Sequence, residues 1–194
     1  MTRLIADIGG TSLRLAHQHD DDTALRDPAI MACADFTKAE DAFTAYCAKY
    51  KPNIDMLCLA VAAPVTGEWV DITNNHWQFD AGKLAAAMNL RAYLLINDFT
   101  AQAMAHRDLL QYDRSMPVNR RQILRDGTAD QTTPLLVIGP GTGLGVAALV
   151  RAGNDIQVVE GEGGHVSYAP RNSAEDMVLA HLAKEFGHVS AERI

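Results

Sequence analysis

The strongest constraint on this chain is an internal echo. The segment "IGGTSLRLA" (Ile8–Ala16) matches "GPGTGLGVA" (Gly139–Ala147) at Gly10/Gly141, Thr11/Thr142, Leu13/Leu144 and Ala16/Ala147, at an offset of 131 residues. Leu15 faces Val146 as a conservative pair. Each segment follows an apolar strand, "LIADI" or "LLVI", and each runs into another strand. A repeated strand–Gly-Thr–strand unit predicts a duplicated fold with a Gly-rich hairpin at the head of each copy. The second copy would begin near Pro134, leaving only 61 residues for it in a chain of 194. The expectation is therefore a nearly complete first lobe and a truncated second one.

Strand and helix patterns interleave around the echo. Strands are expected at Arg3–Ile8, Leu13–Gln18 and Ala29–Ala34, the acidic "HDDDTALRD" forming a loop. Lys38–Tyr50 places Ala42, Phe43, Tyr46, Cys47 and Tyr50 at helical spacing ahead of Pro52. Leu57–Ala63 and Tyr93–Ile96 read as strands buried on both faces. Gly82–Asn89 reads as a helix capped by Asp80, and Thr100–Leu110 as a helix behind Asp98. Further strands are expected at Pro134–Ile138, Leu144–Arg151 and Ile156–Val159. A helix follows from Ser173, with Asp176 completing a capping box and Gly187 past its end. The class is α/β. The expected organisation is a lobe over 1–110, a polar boundary over 111–133 and the start of a second lobe over 134–194.

Charge and cysteines narrow the function. A formal net charge of −7 argues against a nucleic acid or an anionic membrane held by bulk charge, but not against a bound nucleotide. Cys33, Cys47 and Cys58 form no CxxC pair and read as reduced thiols. No leader precedes the first strand and no apolar run approaches ~18 residues, so the expected place is the cytoplasm.

Three constellations carry candidate chemistry. The two Gly-Thr hairpins can present backbone N–H groups and a hydroxyl to phosphate oxygens; the plain alternative is a pair of tight turns. Neither has Rossmann spacing, and no GK[ST] follows either. Asp7 and Asp98 each end a strand, where α/β sheets collect ligands. One would serve Mg²⁺ and the other accept a proton from a substrate hydroxyl, with Asn97 orienting the acceptor. In "EGEGGHVSYAP", Glu162 and His165 flank a Gly-Gly turn and suit sugar hydroxyls. A turn with exposed polar residues is the plain alternative, and no second His or Cys stands nearby at zinc-ligand spacing.

Taken together, "ADIGGTSLRLA", "APVTGEWVDITNNHW", "LLINDFTAQAMA", "GPGTGLGVAAL", "EGEGGHVSYAP" and "GHVSAERI" resemble, in order, the bacterial glucokinases, ATP-dependent hexokinase-like enzymes with the actin-type, ribonuclease H-like duplicated fold. The resemblance implies ATP, Mg²⁺ and D-glucose. It makes Asp98 the base for the sugar 6-hydroxyl, and gives Asn97, Glu162, His165 and Glu192 the other hydroxyls. Phosphates would lie on Ala6, Asp7, Ile8, Gly9, Gly10 and Thr11, with Gly141 and Thr142 on their other side and Mg²⁺ near Asp7. Trp69 and Trp77 are assigned to packing. Ser12 departs from the Asn that commonly follows "GGT", and the zinc-binding Cys cluster and the helix-turn-helix of the related repressor group are missing. The intact family implies a homodimer. The family continues for more than a hundred residues past "GHVSAER", so a half-built nucleotide site, no turnover by this chain alone and uncovered apolar strand faces are expected. A non-catalytic sugar-binding fragment and a kinase for another hexose are the alternatives.

Overall fold

The computed structural model describes residues 1–72, 74–107, 124, 133–141 and 143–194. It divides into two compact units, Met1–Ala101 and Gln102–Ile194. The boundary region expected over 111–133 lies outside the described residues apart from Leu124 and Thr133.

The first unit is built on a five-stranded sheet. In chain order its strands are β1 (Thr2–Ile8), β2 (Ser12–His19), β3 (Arg26–Ala32), β4 (Met56–Val61) and β7 (Ala92–Asn97), arranged β3-β2-β1-β4-β7. The β1–β2 and β2–β3 pairs are antiparallel, whereas β1, β4 and β7 run parallel. A small β5–β6 hairpin (Trp69–Asp71, Gln78–Asp80) lies between β4 and β7 in sequence.

Helix α1 (Ala39–Tyr50) forms because Ala39, Ala42, Phe43 and Tyr46 fall on one face, and all four are buried. It stops where Lys51 turns left-handed (φ 50°), just before Pro52. Helix α2 (Ala81–Ala87) starts at Asp80, whose side chain accepts the Lys83 N–H as expected.

The core lies on one face of this sheet. Leu4, Ala6 and Ile8 of β1 and Leu57, Leu59 and Val61 of β4 pack with Phe43, Tyr46, Trp77 and Leu84. The alternate residues Ile5, Met56, Cys58 and Ala60 are only half-buried, so β4 is covered fully on one face rather than two. Strand β7 departs further from expectation. It is an edge strand among the described residues, and Leu94 is 51% exposed. An apolar run cannot distinguish a central strand from an edge one. Trp77 is buried and donates its indole N–H to the Phe36 carbonyl, but Trp69 stands exposed and is no packing residue.

Two helix caps fall one residue before the sequence reading. Helix α3 (Asp98–Ala105) contains Asp98 as its first residue. The cap is Asn97, whose Oδ1 accepts the N–H groups of Phe99 and Thr100. Helix α4 (Ser173–Phe186) is capped by Asn172, which accepts from Glu175 N, while Glu175 accepts from Arg171 N. The capping box is therefore Asn172/Glu175, not Ser173/Asp176.

The second unit repeats the opening of the first. Strands β8 (Leu135–Pro140), β9 (Leu144–Ala152) and β10 (Asp155–Gly161) form an antiparallel sheet in the order β10-β9-β8, as β3-β2-β1 do. The two hairpins are not identical. Ile8 pairs with Leu13 across a four-residue loop, Pro140 with Leu144 across three. Leu136 and Ile138 stand on an exposed face of β8, and α4 buries none of its residues.

Candidate active site

The parallel strands align three chain segments in one row. Ile8 is level with Val61, and Val61 with Asn97, at the carboxyl ends of β1, β4 and β7. Strand spacing of about 4.8 Å puts the β1 and β7 ends roughly 10 Å apart. The first Gly hairpin and the Asn97-Asp98 pair thus share the edge where such sheets hold ligands.

The hairpin is braced from below. Gly9 N donates to Ser12 O at 2.9 Å, Asn75 Nδ2 donates to Gly9 O at 3.2 Å, and Cys33 N donates to Thr11 O at 3.0 Å. Ala6 and Ile8 are buried and anchor the strand. Among the described residues the N–H groups of Gly10 and Thr11 have no partner, which leaves two donors for an anion at the tip.

Asp7 accepts from Arg14 Nη1 at 2.7 Å across the same hairpin, and both side chains are well exposed. Mg²⁺ is commonly held by one or two carboxylates together with waters and substrate phosphates. Asp7 offers one such carboxylate, with Oδ1 outside the Arg14 bond, so its donor chemistry fits the ion. Among the described residues no group of three or more His, Cys, Asp or Glu gathers into a protein-only metal cage.

Asn97 has a structural occupation that the sequence reading missed. Besides capping α3, it donates from Nδ2 to the Ala63 carbonyl at 3.2 Å. One amide hydrogen stays outside these bonds. Asp98 Oδ1 accepts from Phe99 N at 2.9 Å. Asp98 is thereby placed in the first turn of α3.

The second unit gathers Glu162, His165 and Glu192. A short 3₁₀ turn, Gly163–His165, follows β10, with Glu162 just ahead of it. His165 Nε2 lies 3.8 Å from Glu162 Oε2 and 3.6 Å from Glu192 Oε2. Glu192 arrives from the far end of the chain because Ser167 bridges to Ser190 and Tyr168 N donates to Val189 O. Its Oε2 accepts the Leu144 N–H at 3.0 Å.

The turn needs both glycines. A Cβ on Gly164 would lie 2.0 Å from the Leu144 carbonyl oxygen, and one on Gly163 2.9 Å from the Val146 side chain. Of the second hairpin, Gly141 donates to Gly143 O at 2.8 Å, while Thr142 lies outside the described residues. Glu192 therefore joins His165 and Glu162 to the tip of the second hairpin, a junction that no sequence pattern signals.

A three-stranded antiparallel meander feeding parallel strands, begun again in a second unit, is the actin-like fold of the sugar kinases. The family model described as glucokinase matches residues 4–194. Glucokinase from Campylobacter jejuni subsp. doylei is 39% identical over 98% of this chain and 56% of its own length. The crystal structure of a glucokinase from an Antarctic psychrotroph superposes with a TM-score of 0.74 at 34% identity, covering 98% of this chain and 59% of that one. Glucokinase from Balamuthia mandrillaris, solved with glucose, gives 0.71 at 21% identity, a likeness of fold, over 100% of this chain and 59% of that one. The chain belongs to the glucokinase family. It spans a little over half the length of these relatives.

Proposed function

We propose that this chain serves the transfer of the γ-phosphoryl group of ATP to the 6-hydroxyl of D-glucose. The observation that carries the reading is the convergence of Glu162, His165 and Glu192 around His165 Nε2, within 4 Å, at the tip of a Gly-rich hairpin. Two carboxylates and an imidazole supply the mixed acceptors and donors that a ring of sugar hydroxyls requires. Family membership supports glucose over other hydroxylated ligands.

In this reading Asp98 takes the 6-hydroxyl proton as the sugar oxygen bonds to the γ-phosphorus. The bond from that phosphorus to the β–γ bridging oxygen breaks, and ADP leaves. Asn97 holds Asp98 in place through the α3 cap and turns its remaining amide hydrogen toward a hydroxyl. Gly10 and Thr11 offer N–H groups to the phosphates, with Gly141 and Thr142 assigned to the same chain of phosphates. Asp7 would hold Mg²⁺, which would supply neutralisation of phosphate charge. The same proposal extends to a cytoplasmic setting and a homodimer, as the resemblance to the family implies.

The test is glucose binding by calorimetry, paired with glucose-dependent ATP consumption in Mg²⁺. Wild type is expected to bind glucose and Glu162→Ala to lose binding. Asp98→Asn is expected to keep binding while any turnover falls by about 10²–10⁴-fold. Wild type that ignores glucose, or a Glu162→Ala variant that binds as wild type does, overturns the reading.

A further inference from the structure

The glycine at 143 has a purpose that its backbone does not explain. Its φ lies outside the left-handed region, so conformation alone does not demand glycine there. Space does. A Cβ at Gly143 would lie 2.7 Å from both Cδ and Oε2 of Glu192 and 2.9 Å from Oε1. The carboxylate of Glu192 lies flat against the bare Cα of the hairpin tip. There Leu144 N holds Oε2 at 3.0 Å, and the same oxygen faces His165 Nε2 at 3.6 Å.

We infer that Gly143 is a positioning residue for the sugar, acting through Glu192. Its missing side chain is the seat on which the carboxylate rests, and the Leu144 N–H is the latch. This rests on the glucose reading, with Glu192 as a sugar ligand. The obstructing atoms belong to the far end of a flexible side chain, not to backbone. An alanine at 143 therefore swings the Glu192 carboxylate away without forcing the hairpin apart. Ordinary contact begins at 3.4 Å, so the carboxylate must retreat by more than half an ångström and lose the geometry of the Leu144 bond. Gly164 is the contrasting case, since its obstruction is the Leu144 backbone itself.

The second Gly-rich hairpin thereby gains a defined role. Its tip is built around a carboxylate of the sugar cluster, whatever phosphate it holds as well. The hairpin and Glu192 are 48 residues apart in sequence and meet at one backbone N–H.

The test is a double-substitution cycle on glucose affinity, read by calorimetry with a melting curve for each protein. Gly143→Ala alone is expected to melt close to wild type and to weaken glucose about tenfold, the scale of one charge-assisted hydrogen bond. In the Glu192→Ala background the same substitution should change affinity less than twofold, because the group it displaces is gone. Unchanged affinity in Gly143→Ala overturns the proposal. So does an equal tenfold loss in both backgrounds, or unfolding by Gly143→Ala in both, since each assigns glycine to the backbone. If Glu192→Ala and Glu162→Ala both bind glucose as wild type does, the glucose reading itself falls. If those two weaken binding and Gly143→Ala does not, only the role of Gly143 falls.

Discussion

Asn97 donates its side-chain amide to the carbonyl of Ala63, 3.2 Å away, and so ties the end of β7 to the chain just beyond β4. Its oxygen meanwhile caps α3 through Phe99 and Thr100. One carboxamide sets both the strand end and the helix start between which Asp98 stands. Asn97→Ala should cost about 2 kcal/mol of stability in urea unfolding, the sum of a lost cap and a lost half-buried hydrogen bond. Asn97→Ser keeps a capping oxygen but cannot reach Ala63, and should recover about half of that. Equal losses in the two variants would show that the cap contributes nothing.

Gly164 is a steric keystone. The Cβ of alanine there would lie 2.0 Å from the Leu144 carbonyl oxygen, so the turn carrying Glu162 and His165 must lift off β9. Gly164→Ala should destabilise the second unit by about 3 kcal/mol or more and abolish glucose binding. Gly141→Ala meets nothing within 4 Å and should stay within about 0.5 kcal/mol of wild type. Far-UV circular dichroism melts separate the two outcomes.

The repeat was legible because it is local: apolar strand, Gly-Thr turn, apolar strand, written twice. From it came the two Gly-rich hairpins and the position of Asp7 at a strand end, while the interleaving of strand and helix patterns carried the α/β class and the apolar run ahead of Asn97 placed Asp98 at another strand end. The one-residue difference between the hairpins was not legible, because pairing register depends on which turn closes and not on which residues match. Nor was the cap at Asn97. Asn and Asp cap equally well, and the choice fell to the residue whose amide also reached Ala63. The exposure of β7 escaped for another reason. Leu94 and Leu95 are both leucine, yet only packing decides which is covered, and Leu94 is the exposed one. The seat of Glu192 on Gly143 joins positions that no periodicity connects.

The start of α4 gives a clean comparison of neighbouring residues. Asn172 accepts from Glu175 N at 3.0 Å, and Glu175 Oε2 accepts from Arg171 N at 2.8 Å, which also holds the Glu175 carboxyl below its usual range. Asn172→Ala should cost about 1 kcal/mol and speed amide exchange in the first turn of the helix. Ser173→Ala, at the position that the sequence pattern favoured, should be nearly silent. The reverse order of effects would move the cap back by one residue.

Tyr46 predicts how the first unit responds to alkali. Its ring is fully buried, its hydroxyl donates to the Asp27 carbonyl at 3.0 Å, and His17 Nδ1 lies 3.3 Å away. Burial first, then the negative charge of Asp27 and the neighbouring Tyr50 and Cys47, push its hydroxyl from 10.0 up to about 12. The phenol therefore stays protonated in the fold while the unfolded chain begins to release its proton near pH 10. Stability from this group is whole below that pH and is lost as pH rises toward 12, by about 2–3 kcal/mol in total. Burial, full for Cys33 and partial for Cys47 and Cys58, pushes these thiols up as well and adds a slope from lower pH, so the comparison must be differential. Tyr46→Phe should be less stable than wild type by about 1 kcal/mol at pH 8, through the bond lost to Asp27. Between pH 10 and 12 the gap should close and then reverse. Both tryptophans, Trp69 and Trp77, belong to this unit, so fluorescence-detected urea unfolding at each pH reports on it directly. A gap that stays constant to pH 12 would mean that Tyr46 ionises in the fold as easily as in the unfolded chain.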